Sequence, residues 1–171
     1  LLETLTQKHD RSFNHIFLTG PDKHEFEDEI KPLNKKETFF IVSSKSFSTD
    51  ETMQSLGFAR EWIGGELEFK DHFICITSQI DKAKEFDFDE TTAIQFPNEI
   101  GGRYSIWSPI SLAAILEIGE GFIDFLKGGS LADKNLDSNS NYKQFIKTII
   151  FSDLWHNNFD NKHTRALLTY S

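Results

Sequence analysis

Between Ser44 and Thr49 the chain carries hydroxyls at Ser44, Ser46, Ser48 and Thr49 and an ammonium at Lys45, with Phe47 the one apolar residue among them. The segment follows a short apolar run and leads into an amphipathic one. Hydroxyls and freed backbone N–H groups ahead of a helix suit a phosphate, because the N-terminus of a helix carries oriented donors and a partial positive charge. There is no Walker-type glycine pattern, so a nucleoside triphosphate is not indicated. A ligand-free reading fits the same residues: Ser48 and Glu51 match an S-x-x-E capping box. Spacing by itself leans slightly to that reading. A second segment, Ile100-Gly101-Gly102-Arg103-Tyr104-Ser105, pairs two glycines with an arginine. Glycines let backbone approach a ligand closely, and a guanidinium can meet an oxyanion or a sugar oxygen. A tight turn with the arginine on nearby carbonyls is the alternative.

Other reactive residue types point to structure. His24, Glu25, Glu27 and Asp28 lie in an acidic helical run without H-E-x-x-H spacing, which reads as a solvated face, so no metal site is expected. His156, Asp160 and His163 lie near a helix end and suit capping or surface roles. Cys75 sits in an apolar run and reads as an inert buried thiol. Gly119-Glu120-Gly121 follows a helix, which is the wrong setting for a dinucleotide fingerprint.

The elements that must position these residues are legible as apolar runs. Ile16-Phe17-Leu18, Phe39-Phe40-Ile41-Val42 and Phe73-Ile74-Cys75-Ile76-Thr77 are continuous rather than alternating, as in strands of a parallel sheet buried on both faces. Ala93-Ile94-Gln95-Phe96 is a weaker fourth. Residues 23–32 place Phe26 and Ile30 one helical turn apart, and residues 50–63 align Met53, Leu56, Ala59, Trp62 and Ile63. Strands alternating with helices imply an α/β fold with an open sheet. Residues 109–118 read as a nearly all-apolar buried helix, N-capped by Ser108 with Pro109 in its first turn. Gly119 and Gly121 mark a break before a helix over about 121–127. Asp133 to Asn141 reads as a surface loop, and a last helix is expected from Tyr142 to Phe159.

With 171 residues, 38% hydrophobic and 13% aromatic, seventeen of the rings being Phe, the chain can bury one α/β core. A formal net charge of −9 speaks against non-specific binding to nucleic acid or anionic membranes. An anion site then needs its own local donors. A single cysteine allows no internal disulfide, which fits a reducing compartment. No run reaches membrane-spanning length, and Leu1-Leu2-Glu3-Thr4 is not a signal peptide. A start at Leu1 rather than Met suggests a trimmed chain.

In order along the chain, these pieces resemble the glucose-6-phosphate isomerase family. Ser44-Lys45-Ser46-Phe47-Ser48-Thr49-Asp50-Glu51-Thr52 is similar to its phosphate loop, S-K-T-F-T-T-x-E-T, with two serines in place of threonines. Ile100 to Ser108 resembles its G-G-R-Y-S-x-W-S block. Lys84-Glu85-Phe86 also fits, as do Trp155, Asn158, Phe159, Thr164, Ala166, Leu167, Leu168 and Tyr170. Gln54-Ser55 and Thr169 depart from the family's usual asparagine–alanine and proline. The family's upstream G-I-G-G-S loop, its G-E-P-G-T-N-G-Q-H segment with the catalytic glutamate, and a later histidine and lysine are not among these residues.

The resemblance implies a central fragment. Residues 1–130 would form most of a three-layer α/β/α sugar-isomerase (SIS) domain with a parallel sheet. Residues 131–171 would be a loop and helix leading toward a second such domain. It implies interconversion of glucose 6-phosphate and fructose 6-phosphate in glycolysis and gluconeogenesis, without metal or cofactor, by a cytoplasmic homodimer. Phosphate would be held by Ser44, Lys45, Ser46, Phe47, Ser48 and Thr49. Arg103 would be catalytic, with the Gly102 backbone beside the substrate. A non-catalytic phosphosugar sensor with the same fold is the alternative.

Overall fold

The structure, a computed structural model, describes residues 13–164 and 166, apart from the side chains of Gly102 and Arg103. The described chain divides into two compact units after Phe122.

The first unit is built on three parallel strands, β1 (Phe40–Ser43), β2 (Phe73–Thr77) and β3 (Ala93–Gln95), in the order β1-β2-β3. Register places Phe40 opposite Phe73, Val42 opposite Cys75, and Cys75 opposite Ala93. The central strand matches its apolar run residue for residue. Phe73, Cys75, Ile76 and Thr77 are no more than 1% exposed, as burial on both faces requires. β1 and β3 flank it and are only partly buried. Helix α1 (Lys23–Ile30) is N-capped by Asp22, whose carboxylate accepts from the N–H groups of His24 (2.8 Å) and Glu25 (3.4 Å). It buries Phe26 and Ile30. Helix α2 (Asp50–Ile63) buries Leu56, Ala59 and Ile63. These side chains meet Phe73, Cys75, Phe47, Ala83 and Phe88 in one core, with Met53 and Trp62 packed at its margin. Two short helices, α3 (Phe69–His72) and α4 (Ile80–Lys84), complete the crossovers. The fold is thus a parallel three-stranded sheet flanked by helices, consistent with a partial sugar-isomerase-like α/β domain.

Three expectations change. Ile16-Phe17-Leu18 is not a strand: it joins no ladder among the described residues, Leu18 packs on the core and Phe17 is 45% exposed. Ile16 and Leu18 are only half-buried, so an apolar run does not by itself specify either burial or strand pairing. Pro109–Ser111 forms a 3-10 turn before α5 (Leu112–Ile118), capped by the Ser108 hydroxyl accepting from the Ile110 N–H. That helix is not buried throughout. Glu117 is buried and pairs with His15, whereas Leu116 is 52% exposed. Gly119, at φ +61°, ends it in a positive-φ conformation that glycine tolerates.

The third change concerns the second unit. Helix α6 (Gly121–Ser138) runs through most of the expected loop, and Asn139 alone separates it from α7 (Ser140–Asn158). Asn139 caps α7 by accepting from the Tyr142 N–H at 3.1 Å. Apart from Leu136, residues 133–138 are polar, and all but Asn135 are exposed on the helix: a polar run does not specify irregular backbone. Trp155 and Asn158 lie in α7, and the Trp155 ring meets that of Phe159 at 4.7 Å. Leu167, Leu168, Thr169 and Tyr170 lie outside the described residues, as does Leu1.

Candidate functional site

The hydroxyl-rich loop leaves the carboxyl end of β1. Ser44 extends the ladder by one bond, its N–H donating to the Ile76 carbonyl at 3.1 Å. Its buried hydroxyl then accepts from the Phe47 N–H at 3.2 Å and closes a tight turn. Phe47 has φ +46°, a conformation that costs a bulky residue about 1–3 kcal/mol. Its ring offsets that cost. It is 1% exposed and packs edge-on against Phe86 and Phe88, with centroids 5.7 and 5.6 Å away. With the ring turned inward, Ser46, Ser48 and Thr49 are left exposed and Lys45 half-buried.

The expected capping box does not form. The N-cap of α2 is Thr49, one residue beyond Ser48, and no side chain bonds across the cap. The Thr49 hydroxyl instead lies 3.4 Å from that of Ser46. The ligand-free explanation of these hydroxyls therefore loses its main bond, and the first-turn donors of a fourteen-residue helix have no acceptor from the cap residue. Asp50 and Glu51 follow in that turn. They complement the helix dipole and disfavour a nearby anion, so cations are needed beside the loop. Lys45 is one. Lys82 is another: its ammonium donates to the Ser46 carbonyl at 3.3 Å.

Residues that sequence reasoning missed hold the loop from below. The Lys45 carbonyl accepts from the Thr77 hydroxyl (3.1 Å), the Ser78 N–H (3.2 Å) and the Ser78 hydroxyl (2.9 Å). The Ser78 hydroxyl is also 3.2 Å from Asn98 Oδ1, which accepts from Gln79 Nε2 at 3.3 Å. The ends of all three strands are thereby linked at one edge of the sheet. Hydroxyls at the carboxyl end of a parallel strand were the available signal, since ligands of open α/β sheets bind there.

Gly101 precedes a 3-10 helix, Gly102–Trp107, that contains Gly102 and Arg103. It starts four residues after Asn98, so the segment carrying Arg103 departs from the same sheet edge. The Arg103 side chain itself lies outside the described residues. Elsewhere, the expected structural roles hold. His156 bonds Asp160 one turn away at 2.7 Å, and His163 bonds Asn157. Burial pushes the Cys75 thiol up to about 11. Among the described residues no group of three or more His, Cys, Asp or Glu could hold a metal ion, and no helix is long and apolar enough to cross a membrane. A hollow of about 450 Å³ lined by Asn14, His15, Asp28 and Glu29 lies away from the loop. Its two carboxylates suit an anion poorly.

An α/β domain with a hydroxyl-rich turn and a helix N-terminus at the carboxyl edge of a parallel sheet is the class that this fold defines. The family model described as phosphoglucose isomerase matches residues 1–171, and the chain belongs to that family. Membership gives it a phosphoglucose-isomerase-like function and sugar phosphates as its substrate class. Full-length members are aldose–ketose isomerases.

Proposed function

We propose that the protein, at full length, interconverts glucose 6-phosphate and fructose 6-phosphate in glycolysis and gluconeogenesis, as a cytoplasmic homodimer without metal or cofactor. Residues 1–130 then supply most of a first sugar-isomerase (SIS) domain, and residues 131–171 lead toward a second. The observation that carries the site is the turn at Ser44–Thr49. A buried Phe47 forces the flanking hydroxyls outward at the start of α2, beside two lysines.

In this reading Ser46, Ser48 and Thr49 donate hydroxyl protons to the substrate phosphate. Ser44 accepts from Phe47 yet keeps its own proton to give. Backbone N–H groups of the turn add donors, and Lys45 supplies positive charge. Phosphate held there fixes the sugar carbons over the sheet edge. A carboxylate removes the C2 proton of the aldose and electrons move into a C1–C2 enediolate; the hydroxyl proton passes from O2 to O1, and the carboxylate's proton returns to C1 to give the ketose. That base comes from the family's glutamate segment, which is outside these 171 residues. Arg103, in the turn opened by Gly102, meets the negative charge that grows on the enediolate oxygens.

Turnover is the test. The full-length protein should convert fructose 6-phosphate to glucose 6-phosphate, followed by coupled oxidation of the product, whereas the isolated 171-residue chain should show none. Turnover by the isolated chain would place the base within these residues and overturn the assignment. Binding without turnover at full length would favour a sensor.

A further inference from the structure

We infer that Thr77 and Ser78 are positioning residues for phosphate binding: they act through the Lys45 carbonyl to hold the Ser44–Thr49 turn in its receptive shape. The inference rests on the phosphate-binding role proposed for that turn. The carbonyl of half-buried Lys45 accepts three donors from the end of the neighbouring strand. All three come from buried groups. Thr77 is 0% exposed and Ser78 6%.

The Thr77 hydroxyl is directional. It accepts from the Gln79 N–H at 3.0 Å and therefore has its proton free for Lys45 at 3.1 Å. Fixing the Lys45 carbonyl fixes the peptide plane that joins it to Ser46. That plane sets where Ser46 and the N–H groups after it point. Phe47 holds the next residue by its ring, so the turn is clamped on both sides of Ser46. A loosened clamp adds conformations that must be lost again when phosphate binds, so affinity falls while the chemistry at C1 and C2 is untouched.

The variants Thr77→Val, Thr77→Ser and Ser78→Ala in the full-length protein separate this role from packing. Valine keeps the shape and loses the hydroxyl; serine does the reverse. Inorganic phosphate is the probe, as a competitive inhibitor of fructose 6-phosphate turnover. Thr77→Val and Ser78→Ala should each raise KM and the phosphate inhibition constant together by about tenfold, the scale of one lost hydrogen bond, with kcat within about twofold. Thr77→Ser should stay near the parent protein in both. A packing role predicts the opposite order, with Thr77→Ser impaired and Thr77→Val normal, and would overturn the inference. So would a fall in melting temperature with both constants unchanged. If Thr77→Val fails to fold, Ser78→Ala decides alone. A parent protein insensitive to phosphate would overturn the binding role of the turn itself, and this inference with it.

Discussion

A hydroxyl that holds a phosphate and a guanidinium that meets developing charge leave different kinetic traces. Phosphate contacts persist from ground state to transition state, so Thr49→Ala should mainly raise KM. Arg103→Ala should instead lower kcat by about a hundredfold to a thousandfold, the usual cost of losing one such donor. Arg103→Lys should recover little of it, because an ammonium cannot reproduce the planar fork. Measuring kcat, KM and melting temperature on the full-length variants checks both, and a stable Arg103→Ala protein with near-normal kcat would remove Arg103 from the mechanism. Cys75 gives a simpler check. Its raised pKa and 0% exposure leave almost no accessible thiolate near neutral pH. A thiol reagent at pH 8 should label it only after denaturation, and rapid labelling of the native protein would contradict its burial. The turn's side chains were legible from sequence because their types are contiguous. The clamp beneath it was not, since a backbone carbonyl carries no residue signature and Thr77 lies 32 positions away.

At the scale of elements, the turn depends on aromatic packing. Phe47→Ala removes a fully buried ring and leaves a non-glycine residue at positive φ, so a stability loss of about 3–5 kcal/mol is expected. Denaturant unfolding measures it, and a loss under about 1 kcal/mol would show that the cage is not holding the turn. The Asp89 turn before β3 gives a pH signature. Hydrogen bonds from the Thr91 hydroxyl and N–H, with further ones from Thr92, lower its carboxyl from 3.8 to about 2. A depressed native pKa means stability that is present above the unfolded value and lost as pH falls through the native one. Between about pH 4 and pH 2 the native protein should lose melting temperature more steeply than Asp89→Asn, and parallel curves would contradict the assignment. Strands β1 to β3 and helices α1 and α2 were readable because burial imposed the pattern that identified them. Ile16–Leu18 and residues 133–138 were misread for a related reason. Phe17 and Leu136 are apolar yet exposed, and a segment's polarity does not specify which backbone partner it finds.

For the whole molecule, the sheet topology decides where ligand chemistry can occur. Three parallel strands in sequence order release all three following segments at one edge, and each carries polar residues: Ser44–Thr49, Ser78–Gln79 and Asn98. A chain with a formal charge of −9 has little general attraction for a dianion, so the proposed phosphate binding relies on local donors at that edge. In the proposed function the turn reads phosphate and not sugar. Chemical-shift titration of the amides of residues 44–51 with glucose 6-phosphate, inorganic phosphate and glucose tests it most directly. Glucose 6-phosphate and inorganic phosphate should both shift these amides saturably, with the largest changes from Ser46 to Asp50, while glucose leaves them in place. Equal responses to glucose and glucose 6-phosphate, or phosphate-induced shifts that spare this turn, would contradict it.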